Sequence, residues 1–318
     1  MGPLSRSQAL RLEGLVAYWR VGLAIAAINR RTPIWRWLGP MSPALGILLL
    51  FFAGPIIWSV YIAFTNKALT GVGAQHTKWV GFSNFVHMFN DPLFIHSLVL
   101  TALFVVGSAV IGQNTLGFLI ALLERGKNGI FTATLNTFIM GAWVMPEIVA
   151  GFCWYAYLYQ GGTLDDWLNH IGLSQDWLYT TPMLAIIIAN IWRGTAFSML
   201  VYSAGLSDVP PELLEAAQVD GASQLSLLRR VIIPLLRRSI VTNLMLITLQ
   251  TLASFTLIFV MTAGGPGEAS QTTPLYIYQQ ALQLYDISYG TAMCIVLLLL
   301  GAVFSLVYIK LIRVEEVA

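Results

Sequence analysis

The sequence predicts an all-α polytopic membrane protein: a core of six transmembrane helices, preceded by an N-terminal amphipathic helix lying at the membrane interface. Three observations carry this. Of the 318 residues, 57% are hydrophobic and only 10% charged, and the mean hydropathy of +0.73 is far from the balance of a soluble domain. Six apolar segments are each long enough to supply the roughly twenty residues that a bilayer-crossing helix needs. The basic residues, finally, fall in alternate loops between those segments.

The first segment, residues 1–40, is too short of apolar residues to span. Leu12, Leu15, Val16, Trp19 and Leu23 share one helical face, but Arg20 interrupts the run and Arg30 and Arg31 close it. It is expected to lie along the cytoplasmic interface, with Trp35 and Trp37 at headgroup depth. Residues 41–318 then form the permeation domain, with spans expected near 43–64, 97–123, 131–158, 183–206, 240–261 and 291–309.

Charge fixes the orientation. Lys67 and Lys78 are the two basic residues in loops on one side. The other side has fourteen: Arg6, Arg11, Arg20, Arg30, Arg31, Arg36, Arg125, Lys127, Arg229, Arg230, Arg237, Arg238, Lys310 and Arg313. Both termini are therefore expected in the cytoplasm of a multi-pass cell-membrane protein. So is the loop over 207–239.

That loop has a helix–turn–helix grammar of its own. Pro210 and Pro211 suit a helix start, where the missing N–H has no intrahelical partner, and Glu212 and Glu215 place negative charge near the positive end. Asp220-Gly221 signals a turn, and Ser223 suits the cap of a second helix ending against Pro234. Leu213, Leu214 and Ala217 recur at helical spacing in the first helix, and Leu225, Leu228 and Ile232 in the second, while Arg229 and Arg230 sit off that stripe.

Glu215-Ala216-Ala217, Asp220-Gly221-Ala222-Ser223 and Ile233-Pro234, in this order and spacing between two apolar spans, resemble the EAA loop of permease subunits in binding-protein-dependent ABC importers. Trp79 to Phe85, Pro146 with Trp154 and Gly161 to Leu168, and Thr262 with Gly264-Gly265-Pro266, Tyr276-Ile277-Tyr278 and Ala281 are similar to segments of the maltose and glycerol-phosphate importer group. The resemblance implies that Glu212, Glu215, Ala216, Ala217, Asp220, Gly221, Ala222, Ser223 and Pro234 couple this chain to an ATPase. It also implies the partners: a homologous permease, two ATPase copies that hold the ATP and magnesium, and an extracytoplasmic binding protein. The Gly264 to Gly267 turn would then shape the outer docking surface. No cofactor is expected in this chain, and no nucleic-acid partner.

Nothing in the sequence supports intrinsic catalysis. There is no HExxH, GxSxG or phosphate-binding loop, and His76, His87, His96 and His170 are scattered without metal-ligand spacing. Catalytic and metal-binding residues are expected to be absent.

The polar residues within the spans are more telling, because a polar group facing lipid is costly. Asn190, Arg193, Gly194 and Phe197 fall on one helical face, as do Asn243, Gln250, Thr251 and Ser254. Amides, hydroxyls and an aromatic ring are the chemistry of a sugar site. Packing between helices is the competing reading. The resemblance to the maltose importer places substrate contacts near Gly194, Phe197, Gln250, Thr251 and Ser254. Arg193 is expected to reach outward to water or a loop carboxylate. Glu147, the acidic residue deepest in a span, is expected either to accept from a sugar or to pair with the partner permease. A single arginine and no lysine in the spans argue against an anionic substrate.

Together these readings predict the transmembrane permease subunit of an ATP-driven importer of a di- or oligosaccharide. Import of a glycerol phosphodiester or glycerol-3-phosphate is the alternative within the class, and a secondary transporter the alternative outside it.

Overall fold

A computed structural model describes residues 35–127, 129–172 and 175–313. The interfacial helix expected within residues 1–40 lies almost wholly outside them. The described residues are helical throughout, apart from turns and one isolated bridge between Thr65 and Trp79.

The chain divides into two compact units, residues 1–59 and 60–318. The first is helical from Trp35 and contains most of α1 (Pro40–Ala63). Leu49, Leu50, Phe51, Phe52, Ile57 and Trp58 of this helix are all exposed. An apolar surface of that kind suits lipid.

In the second unit, α2 (Pro92–Glu124) is one unbroken helix that starts earlier than the apolar run suggested. Asp91 explains the start: its side chain accepts from the Leu93 N–H at 3.0 Å, and Pro92 occupies the first helical position. Over Val105–Gln113 the turns widen to the π form. A Cβ added to Gly107, Gly112 or Gly117 would meet Ile187, Ile191 and Ser198 in turn, so the glycine row lets α2 lie close against α5 (Pro182–Ser207).

Two expected spans are not single helices. Residues 131–158 divide at Met145-Pro146 into α3 (Ile130–Val144) and α4 (Glu147–Leu158). The helix axes on either side differ by 106°. Proline removes a backbone donor and holds the preceding residue extended, so Met145 leaves the helix at φ −60°, ψ 131°. Residues 240–261 likewise divide into α8 (Arg237–Leu252) and α9 (Thr256–Met261) around Ala253, Ser254 and Phe255. Between α5 and α8 lie α6 (Pro211–Val219) and α7 (Gln224–Leu235), the two short helices anticipated for the polar loop. Pro234 does not end the second of them. It sits inside α7, directly after a widened turn over Leu228–Ile232, and the chain instead bends by 68° at Leu236.

α5 is the central element. Ala185, Ile186 and Ala189 pack with Phe104, Leu158, Leu257 and Met261 in one core cluster, and Met199, Tyr202 and Leu206 pack with Ala121, Leu227 and Leu236 in another. Between them lies a polar knot: Asn243 Nδ2 donates to Ser198 Oγ at 3.1 Å, Tyr202 Oη at 3.2 Å and Asn114 Oδ1 at 3.3 Å, and the Tyr202 hydroxyl also donates to Asn114 Oδ1. Asn243 is thus fully buried among contacts between helices of this chain.

The far end of the unit is tied by hydroxyl contacts to α10 (Thr273–Tyr278) and α11 (Ile287–Arg313). Asp91 Oδ2 accepts from the hydroxyls of Tyr276 and Tyr289, each at 2.6 Å, and Thr101 Oγ1 accepts from the Thr273 N–H at 2.8 Å. Burial works against the Asp91 carboxylate, but the two phenol donors and the Leu93 N–H outweigh it and hold its pKa below the ordinary value of 3.8. For the Tyr276 phenol, burial and the neighbouring carboxylate act in the same direction and push its pKa up.

Candidate functional site

The two helix breaks meet. Glu147, released at the start of α4 by Pro146, has its carboxylate where the positive end of a helix favours it. Opposite, Ser254 in the break after α8 donates its hydroxyl to Glu147 Oε1 at 2.8 Å. Arg193 on α5 brings Nη1 to 3.9 Å from the same oxygen, close enough for an ion pair and too far for a hydrogen bond. Within this chain Arg193 thus meets Glu147 rather than a loop carboxylate.

Around this contact, Asn190 donates to Ser108 Oγ at 2.7 Å and to Thr251 Oγ1 at 3.5 Å, while Gln113 Nε2 donates to the Asn190 carbonyl at 3.1 Å. Gly194 makes room for the Gln113 amide: a Cβ would stand 2.2 Å from it, and Gln113 would have to move. Gln113, Trp143, Glu147, Asn190, Arg193, Gly194, Gln250, Thr251 and Ser254 line a cavity of about 30 Å³. That is room for water and not for a sugar ring, so the chain supplies one wall of any larger site.

Of the residues expected to contact substrate, only Phe197 stays out of this cavity. Its ring lies 5.9 Å from that of Trp143 and backs it. Gln113 and Trp143 are additions. Two adjacent amides, Gln113 and Asn114, inside an apolar run were the available signal for the first, and the helical offset of Trp143 from Glu147 was the signal for the second.

The coupling loop is built by its turn. The Gly221 N–H donates to the Gln218 carbonyl and the Ala222 N–H to the Ala217 carbonyl, both at 3.0 Å, which closes α6 in a Schellman motif. Gly221 takes φ +79° to do so, a value that suits glycine. Ser223 Oγ then accepts from the Ser226 N–H at 3.3 Å and starts α7. Leu214, Ala217 and Leu228 turn inward onto the Leu227 and Ile232 cluster. Glu212, Glu215, Ala216, Asp220 and Ser223 are exposed. Leu213 and Leu225 are exposed as well, although their spacing had put them on the inward stripes. A hollow of about 480 Å³ opens between the helices, lined by Ala217, Asp220 to Ser223, Ser226, Arg230 and Val231.

Residues 113–313, which contain the coupling loop and every residue lining the polar cavity, match the family model of the binding-protein-dependent transport system inner membrane component. The chain belongs to this family. Among its relatives, the sulfoquinovosyl glycerol transport system permease protein SmoG of Agrobacterium fabrum is 32% identical, over 91% of this chain and 97% of that protein. The trehalose/maltose transport system permease protein MalF of Thermococcus litoralis is 30% identical, over 84% and 90% respectively. A solved bacterial alginate ABC transporter, in complex with its alginate pentasaccharide-bound periplasmic protein, superposes with a TM-score of 0.72, covering 89% of this chain and 94% of that one. At 23% identity that likeness concerns the fold. As an inner membrane component of a binding-protein-dependent system, the protein is a multi-pass permease that works with a binding protein and with a separate subunit that hydrolyses ATP. It is not itself an enzyme.

Proposed function

We infer that this chain is one of two homologous permeases in an importer that moves a carbohydrate, with its pathway wall at the Glu147, Arg193 and Ser254 cluster. The observation that carries this reading is the meeting of two interrupted helices at one polar cavity. Irregular backbone at membrane depth is tolerated where it lines a cavity or is buried in protein, and here both interruptions share a hydrogen bond. The names of the relatives, a sulfoquinovosyl glycerol permease and a trehalose/maltose permease, favour a sugar as cargo.

In this reading the chain crosses six times. α3 with α4 makes one bent span and α8 with α9 another. α7 stays outside the hydrocarbon because its exposed Arg229 and Arg230 would be costly there. Both termini and the 207–239 loop are cytoplasmic, as the basic residues require. Glu215 and its neighbours on α6, with the hollow beside Gly221, receive the ATPase, and ATP-driven closure is passed through α7 to α8 and the cavity.

The test is purification of the chain in mild detergent, followed by ATPase assays with candidate binding proteins carrying sugars. Co-purification of one homologous permease and two ATPase copies, with hydrolysis raised by one sugar-loaded binding protein, is the expected result. A chain that purifies folded and alone, and catalyses sugar flux in liposomes without ATP, would overturn it.

A further inference from the structure

The charges in the polar cavity cancel. Glu147 is the carboxylate and Arg193 the cation among its lining residues, and no other lining residue is charged. Yet the two are not locked together. At 3.9 Å the guanidinium makes no hydrogen bond to Glu147, whose Oε1 is already taken by Ser254. Arg193 Nε is buried and finds no acceptor among the described residues. Side by side, the cavity thus offers the part-exposed guanidinium end of Arg193, beyond its buried Nε, and a carboxylate with acceptor capacity to spare.

Adjacent sugar hydroxyls need that combination, since each both donates and accepts. The amide of Gln250 is exposed beside the pair, and the Trp143 ring, backed by Phe197, offers a flat apolar face for the C–H side of a ring. An acidic sugar would meet something different. Arg193 is already neutralised by Glu147, so an entering carboxylate or sulfate would leave a net negative site at membrane depth.

We propose that the Glu147–Arg193 pair makes this wall a reader of uncharged sugar hydroxyls that disfavours acidic sugars. The proposal rests on the carbohydrate-import reading above and adds the charge class of the sugar and the residues that set it.

The experiment is equilibrium dialysis of the whole transporter in mild detergent, without binding protein, against maltose, trehalose and digalacturonate. Wild type is compared with Glu147→Gln, Arg193→Gln and the double variant, each accepted only if all subunits co-elute. Wild type is expected to bind a neutral disaccharide at least about tenfold more tightly than digalacturonate. Glu147→Gln leaves a net positive wall and should shift that ratio about tenfold toward digalacturonate, and the double variant should return it toward wild type. Tighter binding of digalacturonate by wild type, or one ratio shared by all four proteins, would overturn the proposal. So would absence of binding by wild type while sugar uptake into proteoliposomes persists. Failure of the import reading itself looks different: no sugar of either class then stimulates ATPase activity or uptake with any binding protein.

Discussion

Ser254 donates to Glu147 Oε1 at 2.8 Å, and this one hydrogen bond joins the break between α3 and α4 to the break between α8 and α9. It fixes the carboxylate in a direction that Arg193, 3.9 Å away, does not fix by itself. A hydrogen bond to a charged group contributes about 1.5–3 kcal/mol.

Ser254→Ala should therefore loosen Glu147 without changing the charge of the cavity. Sugar uptake into proteoliposomes is expected to need up to about tenfold more loaded binding protein for half-maximal rate, corresponding to about 1.4 kcal/mol. Ser254→Thr, which keeps the hydroxyl, should recover most of the loss. Equal kinetics for the alanine and threonine variants would show that the bond is idle.

Asn243 holds three partners at once, on α2 and α5. Replacing it with leucine takes a donor from Ser198, Tyr202 and Asn114 while the Tyr202–Asn114 hydrogen bond remains, and a buried acceptor left unpaired costs about 1–3 kcal/mol. Hydrogen bonds between membrane helices average nearer about 0.6 kcal/mol. The thermal midpoint of the detergent-solubilised complex should fall for Asn243→Leu by several degrees, and fall less for Tyr202→Phe, which removes one hydroxyl from a knot that keeps its amides.

The turn of the coupling loop gives a sharper outcome. Gly221 has φ +79°, and proline is confined near −65°. Gly221→Pro should break the Schellman closure of α6 and separate ATP hydrolysis from transport, while the spans still insert. Glu215→Lys, on the exposed face, should do the same by reversing the charge offered to the ATPase. Uptake and binding-protein-stimulated hydrolysis are measured together, and wild-type values for both in both variants would remove the coupling role.

The Asp91 clamp predicts an acid dependence. Its folded-state pKa is depressed, so its contribution to stability is complete above the ordinary carboxylate value and is lost as pH falls through the folded value, below 3.8. The gap in thermal midpoint between wild type and Asp91→Asn should stay level from neutral pH down to about 5 and close below that. A gap that widens with acid would contradict the assignment.

What the sequence revealed followed from where its helices are ordinary. Asn190, Arg193 and Gly194 lie on a regular helix, so offsets of three and four put them on the face they occupy. Gln113 was hidden because Val105–Gln113 does not turn every 3.6 residues, so a wheel drawn at that period misplaces whatever follows. Two prolines depart from their sequence readings, which run one span through Pro146 and end a loop helix against Pro234. Pro146 separates α3 from α4, whereas Pro234 follows a widened turn that spaces out the carbonyls its ring would otherwise strike. The meeting of Ser254 with Glu147 depends on both breaks together and has no local signature. Leu213 and Leu225 fit apolar stripes by spacing yet face outward, and spacing alone does not distinguish a side chain turned to its own core from one left for another subunit.

The widened segment of α2 also acts on angular phase. Ser97 and Thr101 face Thr273 before it, and Gln113 and Asn114 face α5 at its end and just after. The rotation between those two sets is fixed by how many residues the wide turns hold. Deleting one residue between them would swing everything downstream by about 100°. Both amides would then point away from α5, although neither had itself been replaced. Along this helix, length itself is a functional variable: an indel would misdirect both amides even at an exposed position such as Val106, where a substitution meets no close neighbour helix.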